Sequence, residues 1–292
     1  MEQIDIVIPY VNNQDKVWQQ EFNKYRKLNG DKDARRFRDA NVFHYWFRAI
    51  EKTVKFNYRV VLILASENQC PAWLNKEHSC LKIVYHKDFI PARELPTFNS
   101  SVINCYIPFI KGLNNKYILY NDDMFNVNSL SVTDFFHGDT PVLHYEHGRK
   151  FNPTASTWDA NIAKCQNTLN AMFKRTDYIC PEHCPLPHIK TLDLFTWNQM
   201  PELMKSSITG TPFRMAKNVT DWIYQILYLY LGMAEDRPSP LSHYFNNEKI
   251  SVPQEKIACY NDTERISDFE AYKANLHKIL KTLYPSASSF EV

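Results

Sequence analysis

Two adjacent aspartates, Asp122 and Asp123, follow an aromatic and apolar run in the sequence YILYNDDMF at residues 117–125. A buried strand that ends in two carboxylates supplies what a divalent metal and a diphosphate need at the carboxyl edge of an α/β sheet. The same residues also suit an ordinary turn, in which Asn and Asp side chains bind their own backbone. We interpret Asn121, Asp122 and Asp123 as the edge of an active site, with the two aspartates as metal ligands.

A second dense cluster is CPEHCPLPH at residues 180–188, which carries two thiols and two imidazoles. Thiols and imidazoles are zinc ligands, but the spacing is compressed and no second pair of ligands follows at the distance typical of zinc fingers. The alternative is a loop that its prolines stiffen and that presents a histidine. His183 is then a candidate acid–base group, since imidazole titrates near neutral pH.

The first half of the chain predicts the framework for these residues. Short β-branched and aromatic runs at 4–8, 59–65, 81–85 and 116–120 alternate with helical or turn segments, and residues 42–54 show one apolar helical face. Such alternation predicts an α/β fold, a Rossmann-like and mostly parallel sheet with helices on its faces. We expect polar clusters at 11–15, 66–69 and 121–123 to meet in one crevice beyond the strand ends, although loops are polar everywhere.

The alternation stops near residue 126. We predict one domain over 1–292, made of an α/β core (1–125), an insertion or lid (126–190) and a helical or irregular portion that packs back on the core (191–292). Helices are expected within 190–233 and near 268–283. Residues 222–231 keep a helical apolar period and should be core.

Composition narrows the class. The 292 residues are 44% hydrophobic and 14% aromatic, which indicates a folded globular protein, and a net charge of +2 gives no field that would attract nucleic acid. The 6 glycines form neither a dinucleotide fingerprint nor a P-loop.

Seven scattered cysteines suggest reduced thiols, and the N-terminus shows no signal peptide. The longest apolar stretch, 222–234, is too short to span a bilayer and contains Gln225. These features favour the cytoplasm, either in solution or at the inner face of the membrane.

Four blocks of the chain, in order, resemble the Stealth proteins, a family of sugar-1-phosphate transferases that includes bacterial capsular polysaccharide phosphotransferases and the animal GlcNAc-1-phosphotransferase. The first block is IDIV at 4–7 with Val11, Asn12, Asp15 and Trp18. The second is RFRD at 36–39, YWFRAIEK at 45–52, PAWLN at 71–75, LPTFNS at 95–100 and YILYNDDMF. The third and fourth are HCP at 183–185, TPFR at 211–214, CYND at 259–262 and the ending YPS to FE at 284–291.

The chain also departs from the family pattern. Pro9-Tyr10 stands where Thr-Trp is usual, Asn13 where Gly is usual and Asn41 where an acidic residue is common. Ser101, Asn104 and Pro108 stand where the family usually has His, Glu and His. These changes spare Asp122, Asp123, His183 and Arg214, so we expect specificity rather than chemistry to have moved.

The resemblance implies that residues 1–292 form one catalytic domain with a GT-A-like fold, in which 1–125 is the nucleotide-sugar-binding core and the C-terminal portion completes the site. It also implies transfer of a hexose-1-phosphate or N-acetylhexosamine-1-phosphate from a UDP-sugar, such as UDP-GlcNAc, to a glycan hydroxyl. UMP leaves and a phosphodiester forms, in capsular or exopolysaccharide biosynthesis. The expected cofactor is Mg²⁺ or Mn²⁺. The expected acceptor is a glycan or lipid-linked oligosaccharide, with peripheral association to a polysaccharide assembly machinery.

The resemblance assigns catalytic roles to four residues. Asp122 and Asp123 would hold the metal or orient the acceptor hydroxyl, His183 would take its proton, and Arg214 would clamp phosphoryl oxygens with its planar fork. The predicted substrate-binding residues are Asn12, Asp15, Arg36, Arg38, Asp39, Asn99, Asn121, His188, Asn261 and Asp262.

Simpler roles stay open for several of these residues. Asp39 also suits a helix cap, His188 a packed core position, and Asn261 with Asp262 a turn before a helix. Two other functions also stay open: a metal-dependent glycosyltransferase that releases UDP, and a module that binds a nucleotide sugar without turnover.

Overall fold

A computed structural model describes residues 2–28, 30, 33–238 and 240–292, without the side chains of Ala34 and Arg36. The strands are β1 (Ile4–Pro9), β2 (Tyr58–Leu64), β3 (Leu81–Tyr85), β4 (Lys116–Leu119), β5 (Met124–Asn126), β6 (Phe136–His137), β7 (Thr140–His147), β8 (Ile179–Pro181), β9 (Leu186–Ile189), β10 (Glu235–Arg237), β11 (Ser242–Phe245) and β12 (Ile257–Tyr260). The helices are α1 (Lys16–Tyr25), α2 (Phe43–Thr53), α3 (Ser100–Tyr106), α4 (Thr157–Phe173), α5 (Lys190–Gln199), α6 (Pro201–Ile208), α7 (Trp222–Tyr230) and α8 (Phe269–Leu283).

The main sheet has five strands in the order β3-β2-β1-β4-β9. The first four run parallel, and β9 joins β4 antiparallel at the edge. This confirms the predicted α/β class and the mostly parallel sheet. Strand β9 lies inside the segment predicted as an insertion, yet it is part of this sheet.

Strand side chains alternate between two cores, one on each face of the sheet. In β1, Ile6 and Ile8 lie in the first core and Val7 lies in the second. In β2, Leu62 enters the first and Ile63 the second. Burial on both faces explains why these strands read as continuous apolar runs.

The helices cover both faces. Helix α2 buries the predicted apolar face, including Trp46 and Phe47. Helix α7 is buried along most of its length and packs in the second core, as its period predicted. Helix α8 begins after Asp268, whose side chain accepts a hydrogen bond from the Ala271 amide at 3.0 Å. Arg48 of α2 forks onto Glu291, which ties the end of the chain to the core.

A smaller sheet brings the C-terminal part of the chain to the Asp pair. Strand β12 pairs parallel with β11 and antiparallel with β5, and Cys259 lies opposite Met124. The Tyr260 amide donates to the Asp123 carbonyl at 2.9 Å. The backbone of β12 therefore lies directly beside the end of the YILYNDDMF segment.

The seven cysteines are free thiols. Within the described ranges, no helix combines the length and the apolar character needed to cross a bilayer.

Candidate active site

A cleft of about 1320 Å³ opens at the carboxyl edge of the parallel strands. Residues that follow the ends of β1, β2 and β4 line it, among them Tyr10, Ala65 and Asn121. Ligands of parallel α/β sheets collect at this edge. The cleft contains Asp122, Asp123, His183, Arg214, Arg38, Asp39, Asn261 and Asp262.

Asp122 and Asp123 lie on the floor of the cleft, in the turn between β4 and β5. The turn is closed by the Met124 amide, which donates to the Asn121 carbonyl at 3.2 Å. Burial and the neighbouring carboxylates of Asp123 and Asp39 raise the pKa of Asp122 to about 7. The predicted turn and the predicted site edge are thus the same structure.

His183 and Cys259 converge on Asp123. A carboxylate oxygen of Asp123, a ring nitrogen of His183 and the Cys259 sulfur lie within 4.8 Å of one another. The Cys259 thiol donates to Asp123 Oδ2 at 3.4 Å. Burial and the Asp123 carboxylate raise the pKa of this thiol, and burial lowers the pKa of His183.

This group fits a divalent cation. Asp123 Oδ1 and His183 Nε2 are buried and have no hydrogen-bond partner within the described residues. A bound cation would satisfy both atoms, and oxygen, nitrogen and sulfur together suit a transition metal such as zinc better than Mg²⁺. The sequence pointed to Asp123, whereas Cys259 was missed because the CYND block was interpreted through its Asn and Asp alone.

The alternative of a zinc site within residues 180–188 does not match the structure. Within the described chain, Cys180, Cys184 and His188 do not form a group of potential metal ligands, and His183 instead faces Asp123 and Cys259. The interpretation as a loop that presents His183 fits this geometry. The ring of Tyr244 packs edge-on against His183 with centroids 5.1 Å apart and fixes its orientation.

Arg214 reaches the cleft from the TPFR segment. Its guanidinium lies over the ring of Trp158, 4.9 Å from the centroid, and donates to the Ser100 hydroxyl. The segment is held by Asn99, which is fully buried and donates to the carbonyls of Thr211 and Phe213 at 3.1 and 3.2 Å. Asn99 therefore does not line the cleft, and its structural role is to position the segment that carries Arg214.

Arg38 and Asp262 form a wall of the cleft. The guanidinium forks onto the carboxylate at 2.6 and 2.5 Å and stacks on Phe269, 4.1 Å from the ring centroid. Asp39 accepts from the Tyr10 hydroxyl at 2.7 Å. The Asn261 side chain donates to the Tyr244 hydroxyl, and the Arg36 side chain lies outside the described part of the chain.

Three other predicted residues have structural partners away from the cleft. Gln69 binds the backbone of Asn12 and donates to Asp15 Oδ2 at 2.8 Å, so the first two polar clusters contact each other. Val11, the first residue of the 11–15 cluster, lines the cleft together with residues 121–123. Asp15 also caps α1. His188 is fully buried, stacks on Tyr117, and its Nε2 accepts a hydrogen bond from the Gln225 side-chain amide nitrogen at 2.9 Å.

Two further cleft residues were not predicted. Trp158 lies in the first turn of α4 and supports Arg214, and Asp221 precedes α7 and contacts Asn104. Neither stands in a motif whose residue types alone indicate chemistry. Their positions depend on helix packing that brings α3, α4 and α7 to one wall.

Comparison with known proteins places the chain in a family. A family model for Stealth protein CR2, conserved region 2, matches residues 36–142. The exopolysaccharide phosphotransferase cps2G of Lactiplantibacillus plantarum is 38% identical over 335 residues, which cover 99% of this chain and 96% of that protein. The capsular polysaccharide phosphotransferase WcwK of Streptococcus pneumoniae is 28% identical over 329 residues, which cover 99% and 98%.

Solved structures give weaker likenesses. A crystal structure of the galactosyltransferase LgtC with donor and acceptor sugar analogues has a TM-score of 0.46 and 14% identity, and covers 98% of each chain. The bifunctional glycosyltransferase WbbM has a TM-score of 0.48 and 10% identity, and covers 97% of this chain and 51% of that one. The full-length sequence relationships decide the family: the chain belongs to the Stealth proteins and is a transferase.

Proposed function

We propose that this enzyme transfers a sugar-1-phosphate from a UDP-sugar to a hydroxyl group of a glycan, releasing UMP, in the synthesis of a cell-surface polysaccharide. The observation that carries the proposal is one cleft that contains the Asp pair, His183 and Arg214 at the carboxyl edge of a parallel sheet. The names of the related phosphotransferases support the reaction class. The acceptor would be a glycan or a lipid-linked oligosaccharide, met in the cytoplasm or at the inner face of the membrane.

Arg214 is suited to bind the phosphoryl group. A guanidinium presents a flat fork that matches two phosphate oxygens, and its orientation here is fixed by Trp158 and Ser100. Phosphoryl transfer depends on positioning and on neutralising charge more than on covalent chemistry. An arginine held in place before the substrate arrives meets both needs.

Asp123, His183 and Cys259 would hold the divalent cation. When bound, such an ion neutralises charge on the diphosphate and on the departing nucleotide. Asp122 lies next to this group and can orient the acceptor hydroxyl. Arg38 and Asp262 close the opposite wall, and their forked ion pair keeps that wall in place.

Two roles of His183 compete, and they make different predictions. As an acid–base group it would take the proton of the acceptor hydroxyl, and His183→Ala would keep metal affinity while losing turnover. As a ligand it would lose both. The buried Nε2, which has no hydrogen-bond partner in the part of the chain that the structure describes, supports the ligand role, and metal analysis of the variant separates the two roles.

The released nucleotide tests the proposed reaction. The purified enzyme is incubated with UDP-glucose, UDP-galactose or UDP-GlcNAc, a divalent cation and a glycan-acceptor extract, and nucleotides are separated by ion-exchange chromatography. We expect UMP that disappears when a chelator is added. Release of UDP would refute the proposal and indicate a glycosyltransferase, and donor binding without any release would indicate a binding module.

A matched pair of variants tests the site. Asp123→Asn removes a carboxylate from the cleft and should abolish UMP release with little change in Tm. Asp139→Asn changes an exposed aspartate outside the cleft, with a side chain 95% exposed, and should keep full activity. Retained activity in Asp123→Asn would remove this residue from the mechanism.

A further inference from the structure

One wall of the cleft is polar, buried and not explained by the metal or phosphate roles. Ser101 and Asn104 of α3 are 2% and 8% exposed, and Asp221 at the start of α7 is 7% exposed. All three line the cleft together with Arg214 and His183.

The amide of Asn104 has a fixed orientation. Its Nδ2 donates to Asp221 Oδ1 at 3.1 Å. A carboxylate only accepts hydrogen bonds, so the nitrogen must face Asp221 and the oxygen must point the other way. Asn104 Oδ1 is therefore an acceptor whose position is set by the protein.

Two atoms of this wall are buried without a hydrogen-bond partner within the described residues: Asn104 Oδ1 and Ser101 Oγ. Buried polar atoms are normally paired, and leaving one unpaired destabilises the fold. Both side chains are more than nine-tenths buried and line the cleft. A ligand in the cleft that donates hydrogen bonds would satisfy them.

The chemistry of the wall selects the ligand. It offers an amide oxygen, a hydroxyl and a neighbouring carboxylate, which together accept hydrogen bonds from O–H groups and repel an anion. Arg214 binds Ser100, the residue next to Ser101, so the wall begins where the proposed phosphate clamp ends. A neutral sugar ring attached to a phosphate matches this arrangement, because its phosphate would bind Arg214 and its hydroxyl groups would face the wall.

We propose that Ser101 and Asn104, with Asp221 behind them, form the subsite that binds the hydroxyl groups of a neutral sugar. This proposal rests on the proposed function, because it assumes that sugar substrates enter the cleft. Ser101 and Asn104 are uncharged, and the Asp221 carboxylate beside them would repel another carboxylate, which favours a neutral hexose over a sugar that carries a carboxylate.

Binding measurements test the subsite without any turnover. Isothermal titration calorimetry compares UDP-glucose, UDP-galactose, UDP-GlcNAc, UDP-glucuronate and UDP on the wild type and on Ser101→Ala and Asn104→Leu. Loss of one hydrogen bond to the sugar should weaken at least one neutral UDP-sugar about tenfold in each variant and leave UDP unchanged. On the wild type, UDP-glucuronate should bind about tenfold more weakly than UDP-glucose.

Stability provides an independent readout. Because Ser101 Oγ has no hydrogen-bond partner among the described residues, Ser101→Ala should keep or raise Tm, whereas loss of a structural hydroxyl would lower it. Ser79→Ala, on an exposed turn outside the cleft, is the matched control and should change neither quantity. Ser101→Ala also keeps the Asn104–Asp221 contact, so it tests the subsite even where Asn104→Leu fails to fold.

Two sources of the sugar are separated by a second probe. Methyl α-glucoside and methyl α-galactoside, followed by saturation-transfer NMR, report a sugar site that needs no nucleotide. If the variants bind only the UDP-sugars more weakly than the wild type does, the subsite belongs to the donor. If they bind only the methyl glycosides more weakly, it belongs to the acceptor. Unchanged binding of every probe in both variants would overturn the proposal, whereas release of UDP instead of UMP would overturn only the proposed reaction.

Discussion

Asn99 offers the sharpest test of how the fold positions Arg214. Its side chain is fully buried and forms hydrogen bonds with two segments of the chain at once. Oδ1 accepts from the Ser101 amide at 3.0 Å and caps α3, while Nδ2 faces the Thr211 and Phe213 carbonyls and Asn218 Oδ1 at 3.0 to 3.2 Å. Replacing it with alanine removes all of these contacts.

The expected loss of stability in Asn99→Ala follows from the hydrogen bonds that the variant no longer forms. Loss of the cap costs about 1 kcal/mol. Leaving buried carbonyls unpaired costs about 1–3 kcal/mol more. We therefore expect a loss of about 3 kcal/mol in the free energy of unfolding, together with lower activity because the TPFR segment is no longer fixed.

The variant Asn99→Asp separates the two ends of the side chain. Aspartate keeps an oxygen for the cap but turns a second oxygen toward three acceptor oxygens, so repulsion replaces attraction. It should be more destabilising than alanine, although it is the more conservative change in shape. Asn128→Ala, at an exposed asparagine that donates to the Glu255 carbonyl at 3.2 Å, is the control and should cost less than about 0.5 kcal/mol.

Urea unfolding followed by tryptophan fluorescence measures the three variants, with UMP release measured in parallel. If Asn99→Ala lowered the free energy of unfolding by less than about 1 kcal/mol, the stabilising role assigned to the Asn99 hydrogen bonds would be refuted. An Asn99→Asp variant more stable than Asn99→Ala would also refute it, because it would mean that the cap outweighs the contacts to the TPFR segment.

Three further predictions follow from the same structure. Cys259→Ser should weaken Co²⁺ binding at least tenfold and remove the near-ultraviolet sulfur-to-cobalt absorption. Cys80→Ser, outside the cleft, is the control and should leave the affinity and the absorption unchanged, whereas a Cys259→Ser spectrum equal to that of the wild type would exclude Cys259 as a ligand. Burial lowers the pKa of His86 from 6.5 to about 4, so the unfolded state takes the proton first. The contribution of neutral His86 to the free energy of unfolding is therefore complete above pH 6.5 and is lost as the pH falls to about 4. Urea unfolding at pH 7 and pH 4 gives the difference in stability between the two pH values, and His86→Leu should reduce that difference by about 3 kcal/mol. A double-mutant cycle on Arg38 and Asp262 should give a coupling of about 1 kcal/mol, and a value of zero would contradict the role of this ion pair in holding the cleft wall.

The sequence was sufficient for the parts of the fold that local patterns determine. The strands β1, β2 and β4 are largely apolar runs because both faces are buried, and α7 keeps one helical period along its length. The Asp pair was also recognisable, because carboxylates directly after a buried strand are visible in the sequence itself. These signals extend over fewer than about twenty residues.

Non-local pairing explains what the sequence did not indicate. Cys259 approaches Asp123 only because β12 runs antiparallel to β5, a pairing that joins segments more than 130 positions apart. Gln69 binds Asn12 and Asp15 through a loop contact, so polar clusters expected in the crevice satisfy each other. Residue type showed that these side chains were polar, but not which partner each had.

Hydrogen-bond satisfaction helps to separate structural from functional polar residues in this protein. Asn99 and His188 are as buried as any cleft residue, and each has its polar atoms paired within the protein, which supports structural roles. A buried polar atom without a partner in the described part of the chain does not by itself identify a site, since Trp46 Nε1 is such an atom and lies in the apolar core. Asp123 Oδ1 and Asn104 Oδ1 combine two features: they are buried without a partner among the described residues, and their residues line the cleft. A substrate or cation that enters the cleft supplies the missing partner. The hydrogen bond or metal bond that these atoms do not form in the folded protein then stabilises the complex instead.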